Sequence, residues 1–194
     1  MATSTPAGTR VERPSGKALA TRNALLELAA RMFAEHGYVE TSMRDIAKAA
    51  SLTTGSLYGH FRNKADLLAE VIDMRIVDEF GAGHPDAVDE ANIRTGLAGF
   101  AMNFPRRQEL RALIVQGAAA AQTDEETRMS LRNTHGEHLE RWMAGYESER
   151  EILGIDPSVD LASAVMMTWA AEIGLGILEV LGISPDPEGW ADAY

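Results

Sequence analysis

Between Thr41 and Lys64 the chain reads TSMRDIAKAASLTTGSLYGHFRNK, a stretch whose side chains can grip a partner by charge and hydrogen bond. Arg44 offers a planar fork of N–H donors that fits two acceptors held side by side, such as O6 and N7 of a guanine. Thr53, Thr54, Gly55 and Ser56 are small and stand where a helix would open, so they and their free N–H groups could come close to a phosphate or a base edge. Bond-making chemistry finds no such support. No Ser-His-Asp order, glycine-rich phosphate loop or paired-carboxylate motif stands out, so neither an enzyme activity nor a cofactor is expected. Cysteine is absent, which removes disulfide scaffolds, thiolate metal sites and cysteine nucleophiles together. His135 and His138 share one helical face with Glu137 and Glu140 nearby, but neither a third histidine nor a cysteine stands near them. A solvated or dimer-facing place is expected for the pair rather than a metal site.

The elements that must position these residues are helical. From Lys17 onward Leu25, Leu28, Ala29, Met32 and Phe33 recur three and four apart, the rhythm of an amphipathic helix, and Gly37 supplies the stop. Ser42 and Asp45 form an S-x-x-D start to a short second helix whose buried stripe is Met43, Ile46, Ala47 and Ala50. Ser51 and Leu52 break it, Thr53 caps a third helix, and Leu57, Tyr58 and Phe61 supply its apolar contacts. A fourth helix is expected from Asn63 to Phe80, and others over 87–103, 106–121, 125–151 and 159–181. No alternating strand pattern appears, so the fold class is all-α with about nine helices. Two short helices joined by a tight turn are the plan of a helix-turn-helix, which lays its second helix in the DNA major groove.

Charge divides the chain in the same place. The net charge is -11 over 194 residues, yet residues 1–64 carry 9 Lys and Arg against 5 Asp and Glu, while the remainder carries 9 against 24. Only the basic head could approach a polyanion; the acidic body repels one. Residues 1–16 mix Thr, Ser, Pro, Gly and Arg without periodicity and read as a mobile arm. They lack the apolar run of a signal peptide, so a cytoplasmic location is expected. The apolar stretch 161–181 is about as long as a bilayer is thick, but Glu172 and Glu179 would both lie in hydrocarbon and no basic cluster flanks it. Packing on neighbouring helices or a partner subunit is expected there, and no membrane.

Thr41, Met43 to Ala47, Leu57, Tyr58, His60, Phe61 and Lys64, at these spacings, resemble the head of the TetR family of bacterial transcriptional regulators. The resemblance covers most of residues 20–70. It implies a helix-turn-helix domain over 17–63 and an effector-binding and dimerisation body over 64–194. The implied function is a repressor that binds a pseudo-palindromic double-stranded operator as a homodimer and is released by a small-molecule effector. By similarity Thr54, Gly55, Ser56 and His60 face the groove, with Thr53 at the same helix start and Arg44 reading a base. Tyr58 and Lys64 would hold phosphates, and Thr41 or Ser42 would add a contact. One departure is Ser51, where the family commonly has a glycine able to adopt positive φ.

For the body the resemblance implies an apolar pocket, with Phe100, Phe104, Met129, Trp142, Met166 and Trp169 as candidate lining, although such residues at helical spacing are more often core. Glu172 stands in the most apolar helix, where an unpaired carboxylate is costly. Either an arginine from a neighbouring helix pairs with it, or it opens to a cavity and meets a polar or cationic effector. The alternatives left open are an activator of the same fold, a helical ligand carrier, and a protein-partner module that does not use the head on DNA.

Overall fold

A computed structural model describes residues 16–80, 107–151 and 155–183. The helix expected over 87–103, with Phe100 and Phe104, lies outside the described residues, as do the arm and the side chain of Glu172. Seven helices are described: α1 (Gly16–His36), α2 (Met43–Ala49), α3 (Thr54–Tyr58), α4 (Lys64–Phe80), α5 (Gln108–Ala121), α6 (Glu125–Glu149) and α7 (Leu161–Val180). The described residues contain no strand.

Local chemistry sets the boundaries. The Ser42 hydroxyl accepts from the Asp45 N–H while the Asp45 carboxylate accepts from the Ser42 N–H, a reciprocal cap that starts α2. Thr53 caps α3 by accepting from the Ser56 N–H, and Asp124 and Asp160 do the same for α6 and α7. Between α2 and α3, Ser51 has φ +57°, and its N–H and that of Leu52 reach back to the carbonyls of Lys48 and Ala47. The left-handed turn that glycine favours is therefore formed here by a serine, at a cost of about 1 kcal/mol.

Packing then joins head to body through α4. Leu67, Leu68, Val71, Ile72 and Ile76 on this helix are at most 1% exposed, in one core with Leu25, Phe33, Ile46, Leu57, Phe61, Leu113 and Leu131. Those five side chains alone remove apolar surface equivalent to roughly 10 kcal/mol of transfer free energy. Ion pairs surround the same helix. Arg22 of α1 pairs with Glu70, Arg75 bridges Glu27 of α1 and Glu109 of α5, and Asp73 meets His138 of α6 at 2.6 Å.

On α7 the mean hydropathy is 1.6, enough by length and composition to cross a membrane. Its Glu179, however, makes two bonds of 2.6 and 2.7 Å to the guanidinium of Arg111, which is fully buried on α5. A Cβ at Gly176 would stand 2.9 Å from the Cβ of Arg111, so the absence of a side chain lets α7 approach α5 at this pair.

Candidate nucleic-acid interface

The head divides its residues by face. Met43, Ile46, Ala47, Leu57 and Phe61 are buried, and Arg44, Thr53, Gly55, Ser56 and Tyr58 are exposed around the same two short helices. Alternation of this kind follows from helix period: the inward positions repeat every three or four residues, which leaves the others turned to solvent. A Cβ at Gly55 would meet nothing within 4 Å, so packing inside the chain does not demand a glycine there. The position leaves room for a partner to come close. Thr54 is half-buried on this face. His60 is half-buried too, its ring 6.3 Å from that of Phe61.

Two residues expected at the interface have internal partners. Thr41 is 2% exposed, and its hydroxyl donates to the Gly37 carbonyl at 2.8 Å. Its side chain closes the turn between α1 and α2, which leaves Ser42, exposed at the start of α2, as the residue able to add an outward contact. The Lys64 ammonium donates to the carbonyl of Tyr38 at 2.9 Å and of Val39 at 3.3 Å, and lies 4.3 Å from the centre of the Tyr38 ring. Partial burial pushes its pKa down, opposed by the charges of Asp124 and Glu40. Lys64 thus holds the first turn of α4 to the corner before α2.

Two residues of the head escaped the sequence reading. Lys48 is exposed four residues after Arg44, on the same side of α2; that spacing was the available signal. Tyr38 is buried, and its hydroxyl lies 3.0 Å from that of Thr127 on α6 while its N–H donates to Gln116 of α5 at 2.6 Å. It ties the corner that positions α2 to two body helices. No local motif announces such a contact across 89 residues.

Residues 25–71 match the family described as bacterial regulatory proteins, tetR family. The match covers the head and the first half of α4. The HTH-type transcriptional repressor KstR2 of Mycobacterium tuberculosis (strain ATCC 25618 / H37Rv) is 41% identical over 93 residues, covering 47% of this chain and 46% of that protein. The HTH-type transcriptional regulator AcrR of Shigella flexneri is 43% identical over 54 residues, 28% of this chain and 25% of its own. The chain thus spans less than half the length of these curated relatives. Among solved structures, Salmonella enterica GusR superposes with a TM-score of 0.65 at 25% identity, covering 87% of this chain and 85% of that one. The fatty acid degradation regulator FadR from Bacillus halodurans has a TM-score of 0.65 at 19% identity, covering 94% of both chains, and shows the common fold.

In the body the expected lining residues part company. Met129 and Met166 are 45% and 55% exposed, so neither lines an enclosed space in the described chain. Trp142 and Trp169 pack against the core, their rings 5.0 Å apart in a T-shaped pair between α6 and α7. The solvated or dimer-facing place expected for the two histidines is corrected: His138 is 3% exposed, held by Asp73 and by Arg141 at 2.8 Å, and His135 packs edge to face on Trp169 at 5.4 Å. Burial pushes the pKa of both down, that of His135 to about 4, so the His135 ring is neutral near pH 7. The Asp73 charge opposes the shift at His138.

Proposed function

We propose that this chain is a cytoplasmic, homodimeric transcriptional repressor that binds a pseudo-palindromic operator and is released by a small-molecule effector. The observation that carries the reading is the outward set Arg44, Thr53, Gly55, Ser56 and Tyr58, carried on two short helices whose backs are locked into the core. That set supplies one bidentate base reader, small groups that permit close approach, and a phenol for a phosphate, on the basic part of an otherwise acidic protein. Relatives named as repressors support the regulatory role.

A second copy fits the face of α7 that carries Met166, Met167, Ile177 and Val180, which are 48 to 73% exposed in the single chain. Pairing two such helices across a two-fold axis buries them and sets two heads side by side. Selection from a random double-stranded pool tests the whole reading: it should enrich a pseudo-palindrome with half-site centres about one helical turn or slightly more apart. A pool without enrichment overturns the reading. Light scattering should show a dimer at micromolar concentration that Met167→Glu dissociates; a monomeric wild type refutes the pairing. The effector must bind the free dimer more tightly than the operator complex, by the same factor with which it weakens operator binding.

A further inference from the structure

Tyr38, in the corner between α1 and α2, is held by three helices at once. Its N–H donates to the side-chain oxygen of Gln116 on α5 at 2.6 Å, and its carbonyl accepts from the Lys64 ammonium on α4 at 2.9 Å. Its hydroxyl lies 3.0 Å from that of Thr127 on α6. The direction of this last bond is fixed, because the single hydroxyl proton of Thr127 goes to the carboxylate of Asp124 and the phenol must then donate to Thr127. Tyr38 is 5% exposed and Thr127 is fully buried, so water hardly competes for the bond. The core that head and body share, with Leu25, Phe33, Leu113 and Leu131, is apolar, and apolar contact is non-directional: it holds two surfaces together while letting one slide or turn on the other. Hydrogen bonds that converge on one residue from three helices oppose such sliding, because they weaken steeply with distance and angle.

We propose that Tyr38 is a positioning residue that fixes each head on its body, and that its bond to Thr127 thereby sets which half-site spacing the dimer accepts. The inference rests on the reading of the chain as a dimeric operator-binding repressor and adds the residue that selects the spacing. α2 opens at Met43, just beyond this corner, so a corner tied to α4, α5 and α6 places α2 relative to the body. One base pair inserted at the centre of an operator moves a half-site by about 3.4 Å and turns it by about 34°. A 3.0 Å bond does not survive a shift of that size. On such an operator the heads either give up base contacts or break the tie, and the tie can contribute to rejecting the wrong spacing by no more than its own net strength, about two- to tenfold in affinity for each subunit.

Selection from a random double-stranded pool supplies the operator, and fluorescence anisotropy then compares it with versions carrying one base pair more or fewer at the centre. The wild type should prefer the selected spacing. Tyr38→Phe, which deletes only the hydroxyl, should shrink that preference about two- to tenfold for each subunit and leave the salt slope unchanged, since no phosphate contact is lost. The preference is a ratio measured on one protein, so a smaller folded fraction cancels from it, and a tyrosine that only stabilises the fold would leave it unmoved. Thr127→Val, alike in shape but without the hydroxyl, should act as Tyr38→Phe does and add little to it in the double variant, whereas Thr127→Ser should keep the wild-type preference. A wild type indifferent to spacing, an unchanged preference in Tyr38→Phe, or effects of Tyr38→Phe and Thr127→Val that simply add overturns the proposal. Should Tyr38→Phe fail to fold, Thr127→Val removes the same bond from the body side and decides. The failures are distinct: an operator whose spacing preference survives these substitutions sinks the role of Tyr38 alone, and no operator at all sinks the reading beneath it and the proposal with it.

Discussion

Lys64→Met removes an ammonium that the structure employs twice over. Its two bonds to the Tyr38 and Val39 carbonyls, at 2.9 and 3.3 Å, and its seat 4.3 Å from the Tyr38 ring hold α4 to the corner before α2. A hydrogen bond from a charged donor contributes about 1.5 to 3 kcal/mol when well buried, and a cation over an exposed ring about 0.5 to 1. Because this ammonium is partly solvated and its second bond is long, the lower end is taken once for the two bonds together and once for the ring, a sum of about 2 kcal/mol. For a chain of this size that lowers the melting temperature by about 4 to 8 °C. Methionine keeps the stem packed, so the loss reports the ammonium and not a cavity. If the same group also holds a DNA phosphate, the slope of log affinity against log salt should become shallower by about 0.9 per subunit, about 1.8 for the dimer on its operator. Differential scanning calorimetry and fluorescence anisotropy at several salt concentrations read the two effects separately. An unchanged melting temperature refutes the anchoring role, and weaker binding with an unchanged salt slope shows that Lys64 acts on DNA only by placing α2.

Arg44→Ala should relax the preference at one base pair of each half-site by about 1 to 3 kcal/mol and leave non-specific affinity nearly intact, which competition with single-base operator variants would reveal. Ser51→Gly should raise stability by about 0.5 to 1 kcal/mol in urea melts, because φ +57° strains a serine and not a glycine; a destabilised variant would contradict the turn. Acid should weaken the fold through His135: with its pKa lowered from 6.5 to about 4, the unfolded chain binds a proton that the folded chain refuses, so stability falls as pH drops through that window. The loss approaches about 3 kcal/mol near pH 4. Urea melts of wild type and His135→Phe between neutral and acid pH should diverge by that amount, and parallel curves would show the ring to be solvated.

Much of the head was legible in the sequence because its signals act within four residues. The reciprocal Ser42 and Asp45 cap, the Thr53 cap, the buried stripe of Met43, Ile46 and Ala47, and the exposed Arg44, Gly55, Ser56 and Tyr58 all follow from helix period and cap chemistry. Even the departure at Ser51 resolved locally: two N–H groups bonded back to α2 hold the left-handed turn whatever residue stands there. Tertiary structure decided where a side chain had two plausible directions. Thr41 could have faced solvent, but the carbonyl of Gly37 turned it inward, and Lys64 found carbonyls 25 and 26 residues away. In the apolar helix α7, Glu179 is paired with Arg111, which lies 68 residues earlier. The histidines of α6 were hidden for the same reason, since Asp73 and Trp169 come from other helices. Apolar spacing also could not separate Trp142 and Trp169, half-buried against the core of this chain, from Met166 and Met167, left open on its surface. Periodicity specifies that a face is apolar, and only the assembled neighbours determine what covers it.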